Sequence, residues 1–234
     1  FFVFSSKRYC DVAPSMNTIN WALTKKIIGL GAQFFIIMVC MLFIFQVINI
    51  IIVRVCGPEN VTAYNIAYKY FNILNMAMMI IVTPFWSACA DAYTKKDFLW
   101  MKNVIEKMEM IWKLSICVLI IMILVSSTFY DIWVGDSVKI SLSLSVMVGV
   151  YILVQNLCGI YIYMINGTSK IRLQLVVYLV SAFISVPTMY FLCSKYGITV
   201  MLLVPISVCL IQAFVAKKQL TKIIRGTASG IWIK

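Results

Sequence analysis

The sequence predicts an all-α membrane protein with six transmembrane helices, and three observations carry that prediction. The chain has 234 residues, 63% hydrophobic and 12% charged, whereas ordinary soluble domains are roughly 45–50% apolar and about 25% charged. Its apolar residues gather into six runs near the roughly 20 residues a bilayer-spanning helix needs. Within the runs the hydrophobicity is too unbroken for barrel strands, which alternate apolar and polar residues.

Taken in order, the first span is Ile27 to Val53, with no charge. The second is Val61 to Ala90, interrupted only by Lys69. The third is Leu114 to Tyr130, extended by Ile132–Gly135. The fourth runs from Ile140 to Ser169, the fifth from Leu173 to Ser194 and the sixth from Tyr196 to Ala216. The connections carry turn chemistry. Gly57-Pro58-Glu59-Asn60 is a tight turn, Asp131–Lys139 a short surface loop, and Asn166–Ser169 and Lys195–Gly197 are further turns. Pro84, Pro187 and Pro205 fall inside apolar runs, where a proline kinks a membrane helix without abolishing it. Phe1–Phe4, followed by Ser5, Ser6, Lys7 and Arg8, reads as the tail of a span cut off upstream, so the chain reads as a fragment. The expected organisation is 1–26 as that tail plus a cytoplasmic linker, 27–217 as a six-helix membrane lobe, and 218–234 as a basic cytoplasmic tail.

Orientation follows from the lysines and arginines. With the first full span entering from the cytoplasm, sixteen of the 20 basic residues fall inside and only Arg54, Lys139 and Lys195 outside. That is a positive-inside pattern, with the C-terminus cytoplasmic, and it accounts for much of the net charge of +12 without any ligand. Trp21, Trp86, Trp100 and Trp112 fall near the inner interface and Trp133 near the outer one. Phe98, Met101, Ile105, Met108 and Trp112 recur at helical spacing, which predicts a helix over Asp97–Trp112 lying in the inner headgroup layer.

Several chemistries are excluded. With no histidine, imidazole acid–base work and histidine metal ligation are absent. The eight cysteines at 10, 40, 56, 89, 117, 158, 193 and 209 form no Cys-x-x-Cys pair and mostly sit in apolar runs as small hydrophobes. There is no phosphate-binding Gly-x4-Gly-Lys-Ser/Thr loop, and the charges lie between spans rather than in a stripe fit for nucleic acid. No cofactor, metal or catalytic residue is expected. The eight acids (Asp11, Glu59, Asp91, Asp97, Glu106, Glu109, Asp131 and Asp136) fall in loops or at span ends, so no carboxylate is expected at membrane depth for ion coupling.

The informative polar residues lie on the second span. Asn65, Lys69 and Asn72 recur at spacings of four and three and so share a helix face, with Asn75 at its edge. A lysine in a span costs roughly 2.5–3.5 kcal/mol on insertion scales, so it should face protein or a water-filled cavity. The turn at 57–60 makes the first two spans a hairpin, which places Gln46 and Asn49 at depths comparable to Lys69 and Asn72, with Arg54 at the outer surface. Gln155 and Asn156 lie mid-span in the fourth helix. Two readings stay open: amides bonding between helices with Lys69 snorkelling outward, or a cationic, hydrogen-bonding cavity wall for a phosphate- and hydroxyl-rich ligand.

A set of loose motifs bears a family resemblance. Trp21, then Gly29-Leu30-Gly31-Ala32-Gln33-Phe34-Phe35, then Gly57-Pro58-Glu59 with Val61–Asn65, then Tyr68–Phe71 and Pro84–Ala88, resembles the bacterial polysaccharide-repeat-unit flippases of the multidrug/oligosaccharidyl-lipid/polysaccharide exporter superfamily. The likeness covers residues 20–110 best and fades to hydropathy beyond about 140. It implies a two-lobed transporter of 12 or more helices, of which this chain is the C-terminal lobe. It also implies movement of undecaprenyl-pyrophosphate-linked sugar units across the bacterial inner membrane for O-antigen and lipopolysaccharide synthesis. The implied partners are that lipid-linked oligosaccharide, the surrounding lipids and the missing N-terminal lobe, with no nucleic acid and no enzymatic step. On the same analogy Lys69 meets the pyrophosphate and Arg54 gates the outer mouth, with Asn65, Asn72, Asn49 and Gln46 as hydroxyl partners. The alternatives are a cation-coupled drug or metabolite exporter of the superfamily, which requires a membrane-depth carboxylate, and a non-transporting membrane scaffold.

Overall fold

Capping residues and glycines set the boundaries of the helices. The structure, a computed structural model, describes residues 20–135 and 138–233. The expected end of a preceding span at Phe1–Phe4, together with Lys7, Arg8, Cys10, Asp11, Asp136 and Lys234, lies outside them. Asn20 opens α1 (Trp21–Cys56) by accepting the backbone N–H groups of Ala22 and Leu23 at 3.1 and 3.3 Å. This cap starts the helix six residues before the uncharged stretch, so Lys25 and Lys26 stand on its first turns.

Gly57 ends α1 with φ 89°, a conformation that suits glycine, and Pro58 sits at the start of α2 (Pro58–Thr94), where its missing N–H costs nothing. Asp97 caps α3 (Phe98–Val134) through Trp100 N–H at 3.0 Å. Ser141 caps α4 (Leu142–Thr168), which closes on Ser169 in the left-handed conformation. In α5 (Arg172–Met201) the helix breaks at Gly197, φ 79° and ψ −175°, and the chain continues into α6 (Leu203–Ile224). The break falls in the expected 195–197 turn. α2 and α5 run on through Pro84 and Pro187. A short 3-10 turn at Gly230–Trp232 follows α6.

All six helices are long and apolar enough to cross a membrane, and the chain is a multi-pass membrane protein. Short connections make the helices alternate in direction. Lys25, Lys26, Lys95, Lys96, Lys170, Arg172, Lys222 and Arg225 therefore collect at one end of the bundle, termed here the basic end. α4 is the hub, packing on α2, α3 and α6, while α1 packs on α2 and α5. More than half of α4's apolar window is buried (56%), against 17% for α3 and α5. Glycines let α4 sit that close: a Cβ on Gly167 would stand 2.9 Å from the Trp86 carbonyl oxygen of α2, and one on Gly149 would stand 2.8 Å from Leu119 of α3.

The structure revises the expected headgroup helix over Asp97–Trp112. α3 is continuous for 37 residues with no break before the third span. Met101, Ile105 and Met108 are buried in the core rather than laid on a surface. Trp112 donates Nε1–H to the Leu153 carbonyl at 2.8 Å. That bond ties the tryptophan to α4, so it packs within the bundle.

Candidate functional site

A depression of about 690 Å³ opens between α1, α2 and α4 in the half of the bundle away from the basic end. Its making starts in α1, where Leu42–Gln46 form a single π-helical turn. Such a turn inserts one residue into the helical register and recurs at functional positions. Phe45 and Gln46 of that turn face the depression, together with Asn49 just beyond it. From α2 come Tyr64, Asn65, Tyr68 and Lys69, one and a half turns of consecutive face. From α4 come Tyr151 and Gln155.

Four of the six residues singled out in the sequence, Gln46, Asn49, Asn65 and Lys69, thus line one concavity. The other two do not. Asn72 accepts a hydrogen bond from Asn75 Nδ2 at 3.1 Å on its own helix. Arg54 is about 140° around α1 from Asn49, on a different face. Gln155 joins the wall, whereas Asn156, its neighbour, is buried in the packing.

The chemistry of the wall is specific. Lys69 is exposed to the opening and forms no ion pair among the described residues. Asn49 Oδ1 and Gln155 Oε1 are buried acceptors with no hydrogen-bond partner. An unmet buried acceptor costs about 1–3 kcal/mol, so each is poised for a hydroxyl or a water. The aromatic lining consists of rings in contact: Tyr64 to Tyr68 at 5.9 Å, Tyr68 to Tyr151 at 6.3 Å and Phe45 to Tyr151 at 6.3 Å. One cation, several amides and a tiled aromatic wall can together take an anionic group attached to a flat, hydroxylated body. In the sequence Tyr64 and Tyr68 enter only as parts of the family motifs and not as site residues, although they stand one turn apart beside the polar row. Tyr151 and the π-turn carry no local signal.

A second polar cluster gathers around one of the acids. Glu109 lies inside α3, where Oε1 accepts the Tyr161 hydroxyl at 2.7 Å and stands 3.0 Å from Lys217 Nζ. Tyr161 is six residues, about 9 Å, from the middle of α4. The carboxylate is therefore held within the bundle, in the half toward the basic end, just before the uncharged stretch of α3 that begins at Leu114. A smaller pocket of about 400 Å³ reaches it from the basic end, passing Lys102, Glu106 and Arg225.

Comparison with protein families matches MatE over residues 34–191. No curated protein and no solved structure matches the chain.

Proposed function

The chain belongs to the MatE family of membrane transporters, and from that premise we propose that the α1–α2–α4 depression receives the head of a lipid-linked oligosaccharide during its translocation across a bacterial cytoplasmic membrane. The observation that carries this reading is the convergence of Lys69 with Gln46, Asn49 and Asn65 on one opening, an arrangement that four separate snorkelling or inter-helix contacts would not need. Lys69 meets the phosphate charge. Asn49, Gln155 and Asn65 take hydroxyls, and the tyrosine rings stack against sugar faces. No bond in the cargo changes; the protein shelters a polar head while its hydrocarbon tail stays in lipid. The basic end faces the cytoplasm by the positive-inside rule, so the depression belongs to the outer half. We assign the chain one lobe of a two-lobed, alternating-access transporter, its partner being an N-terminal lobe. Arg54 and Asn72 have no part in the proposed contact.

The test is export of lipid-linked sugar in cells that depend on this protein, at equal protein level. Lys69→Ala is expected to cut export by about tenfold or more, the loss of one charge-assisted contact, and Lys69→Arg to restore a large part of it. Normal export by Lys69→Ala overturns the role of Lys69.

A second reading, cation-coupled export of a drug or metabolite, requires a membrane-depth carboxylate, and the acid it would draw on is Glu109, the covered carboxylate of α3. Lys217 and Tyr161 already occupy it, which places this reading second. Loss of ion-gradient-driven efflux of an organic cation in Glu109→Gln would reverse the order.

A further inference from the structure

The basic end carries two pockets that differ in charge balance. In the pocket beside Glu109, cations are answered by carboxylates: Lys217 by Glu109 at 3.0 Å and Lys102 by Glu106 at 3.8 Å. The other, about 620 Å³ between α1 and the α4–α5 connection, is lined by Lys25, Lys26, Lys170 and Arg172 with Gln33 and Ser169, and no carboxylate among the described residues lines it or pairs with them. A positive-inside bias asks only that basic residues lie on one side of the membrane. It does not gather four of them around one hollow.

The base of this cup is built. Gln219 of α6, almost fully buried, donates Nε2–H to the Lys170 carbonyl at 2.9 Å and to the Trp232 carbonyl at 3.1 Å. Lys222 lies 4.0 Å over the Trp232 ring. The α4–α5 connection and the turn at Gly230–Trp232 are thereby pinned to α6. The N-terminus of α5 opens at the same place, capped by Ile171 without a side-chain acceptor, and its free N–H dipoles add to the positive field.

The cup also has a hydrocarbon extension. Gln33 and Arg172 line both the cup and a crevice bounded by Leu175, Val176 and Ile231. Val176 in turn begins an apolar groove of about 550 Å³ between α5 and α6. Val176, Val180, Ile184 and Thr188 repeat every four residues from Arg172, so the groove descends along one face of α5 for about 24 Å. Three of its four hydroxyls are turned back into the helices: Ser185 to the Ser181 carbonyl, Thr188 to that of Ile184, and Ser207 to that of Leu203, at 2.6–2.7 Å. What the groove offers a ligand is hydrocarbon. α5 and α6 contribute nothing to the α1–α2–α4 depression, so the groove is a separate surface.

We propose that cup and groove together bind an anionic phospholipid of the bilayer, its phosphate among Lys25, Lys26, Lys170 and Arg172 and one acyl chain along the α5–α6 groove. A phosphate on a cationic cup at a helix start, with a chain running into the membrane from it, is the chemistry of lipid-headgroup pockets between membrane helices. The proposal stands apart from the cargo reading above and does not depend on it.

The full chain, purified from detergent micelles holding equal amounts of phosphatidylglycerol and phosphatidylcholine, is washed and its retained lipid measured by mass spectrometry. Wild-type protein is expected to retain phosphatidylglycerol over phosphatidylcholine by about fivefold or more. The double variant Lys170→Gln, Arg172→Gln should fall below about twofold, while Lys95→Gln, Lys96→Gln, which neutralises basic-end lysines outside the cup, keeps the wild-type ratio. Val180→Trp fills the groove without touching a charge, and should lower the phosphatidylglycerol retained. Equal ratios in wild type and the Lys170/Arg172 variant, or equal loss in the Lys95/Lys96 control, overturn the site. Indifference to Val180→Trp combined with displacement by inorganic phosphate, and not by chloride of equal ionic strength, overturns the lipid in favour of a free phosphate ion.

Discussion

Tyr161 donates its hydroxyl to Glu109 at 2.7 Å, and through that bond α4 holds a carboxylate that α6 neutralises with Lys217. Three helices meet at one oxygen atom. Glu109 is largely covered, its side chain 21% exposed, whereas Lys217 is 55% exposed and keeps access to water. The energetic weight thus falls on Glu109 and Tyr161. A hydrogen bond to a charged group is worth about 1.5–3 kcal/mol. Tyr161→Phe should therefore lower the thermal unfolding midpoint in detergent, and Glu109→Ala should lower it further. Lys217→Ala should lower it as well, because it leaves the largely covered carboxylate without its cation. Unchanged midpoints in Tyr161→Phe and Glu109→Ala would show that the cluster does not clamp the bundle.

Among the glycines of α4, Gly167 comes closest to the α2 backbone. A methyl there would meet the Trp86 carbonyl oxygen at 2.9 Å and the Cys89 Cβ at 3.0 Å. Backbone cannot step aside as a flexible side chain can, so Gly167→Ala is expected to destabilise by about 1–3 kcal/mol, the usual penalty for overpacking. Gly159→Ala is the comparison, since its Cβ would meet only the mobile Cε of Met79 at 3.2 Å. Thermal unfolding of the two variants side by side should rank Gly167→Ala well below Gly159→Ala; the reverse order would refute the packing argument.

How far the sequence could be read depends on whether the determining signal is local. Gly57-Pro58 and Gly197 mark their breaks directly, because a positive φ and a missing N–H are properties of single residues. Lys69 was legible because a charge in a span has few places to face, and Asn65 because it lies one turn away. Tyr151 comes from a helix some eighty residues further along the chain, and nothing near it in sequence ties it to Lys69. Leu42–Gln46 reads as any apolar stretch, so the π-turn that re-aims Gln46 is invisible. The amphipathic spacing of Phe98, Met101, Ile105 and Met108 was real, but periodicity identifies a face without identifying what covers it. The cover is protein, and with it Glu109 moved from an expected interface to a clamped position in the bundle.

The depression makes a solvent-access prediction that separates a cavity from dry helix packing. It is lined by no cysteine of its own, so a thiol introduced there reports without background from the wall. Cysteines placed at Asn65 and Lys69 should react quickly with a water-soluble, membrane-impermeant thiol reagent. One placed at Asn72, outside the lining and paired with Asn75, should react about tenfold more slowly, as expected of a partly covered position. The readout is the rate of mass addition on the intact protein in vesicles. Silence at 65 and 69 would favour the scaffold reading over transport.

Cys56 and Cys193 supply a direct test of how α1 meets α5. Their sulfur atoms are 3.5 Å apart, Cys56 at the end of α1 and Cys193 just before the break in α5, far apart in sequence and remote from the basic end. Each residue stands one to four positions from a glycine at which the backbone turns, Gly57 and Gly197, so the sulfurs can close to the roughly 2.05 Å of a disulfide with little strain elsewhere. Treatment with iodine should oxidise the pair. Each thiol gives up its proton, the two sulfurs bond, and the released electron pair reduces iodine to two iodide ions. A protease site in the loop between α3 and α4 then makes the link visible, since it separates the two cysteines onto different fragments. After cleavage those fragments should stay joined without reductant and part with it, and Cys56→Ser or Cys193→Ser should abolish the link. Among the described cysteines only this pair lies in different fragments with its sulfurs recorded in contact. A link that survives both substitutions, or none in the wild type, would mean that α1 and α5 do not lie against each other as the structure has them.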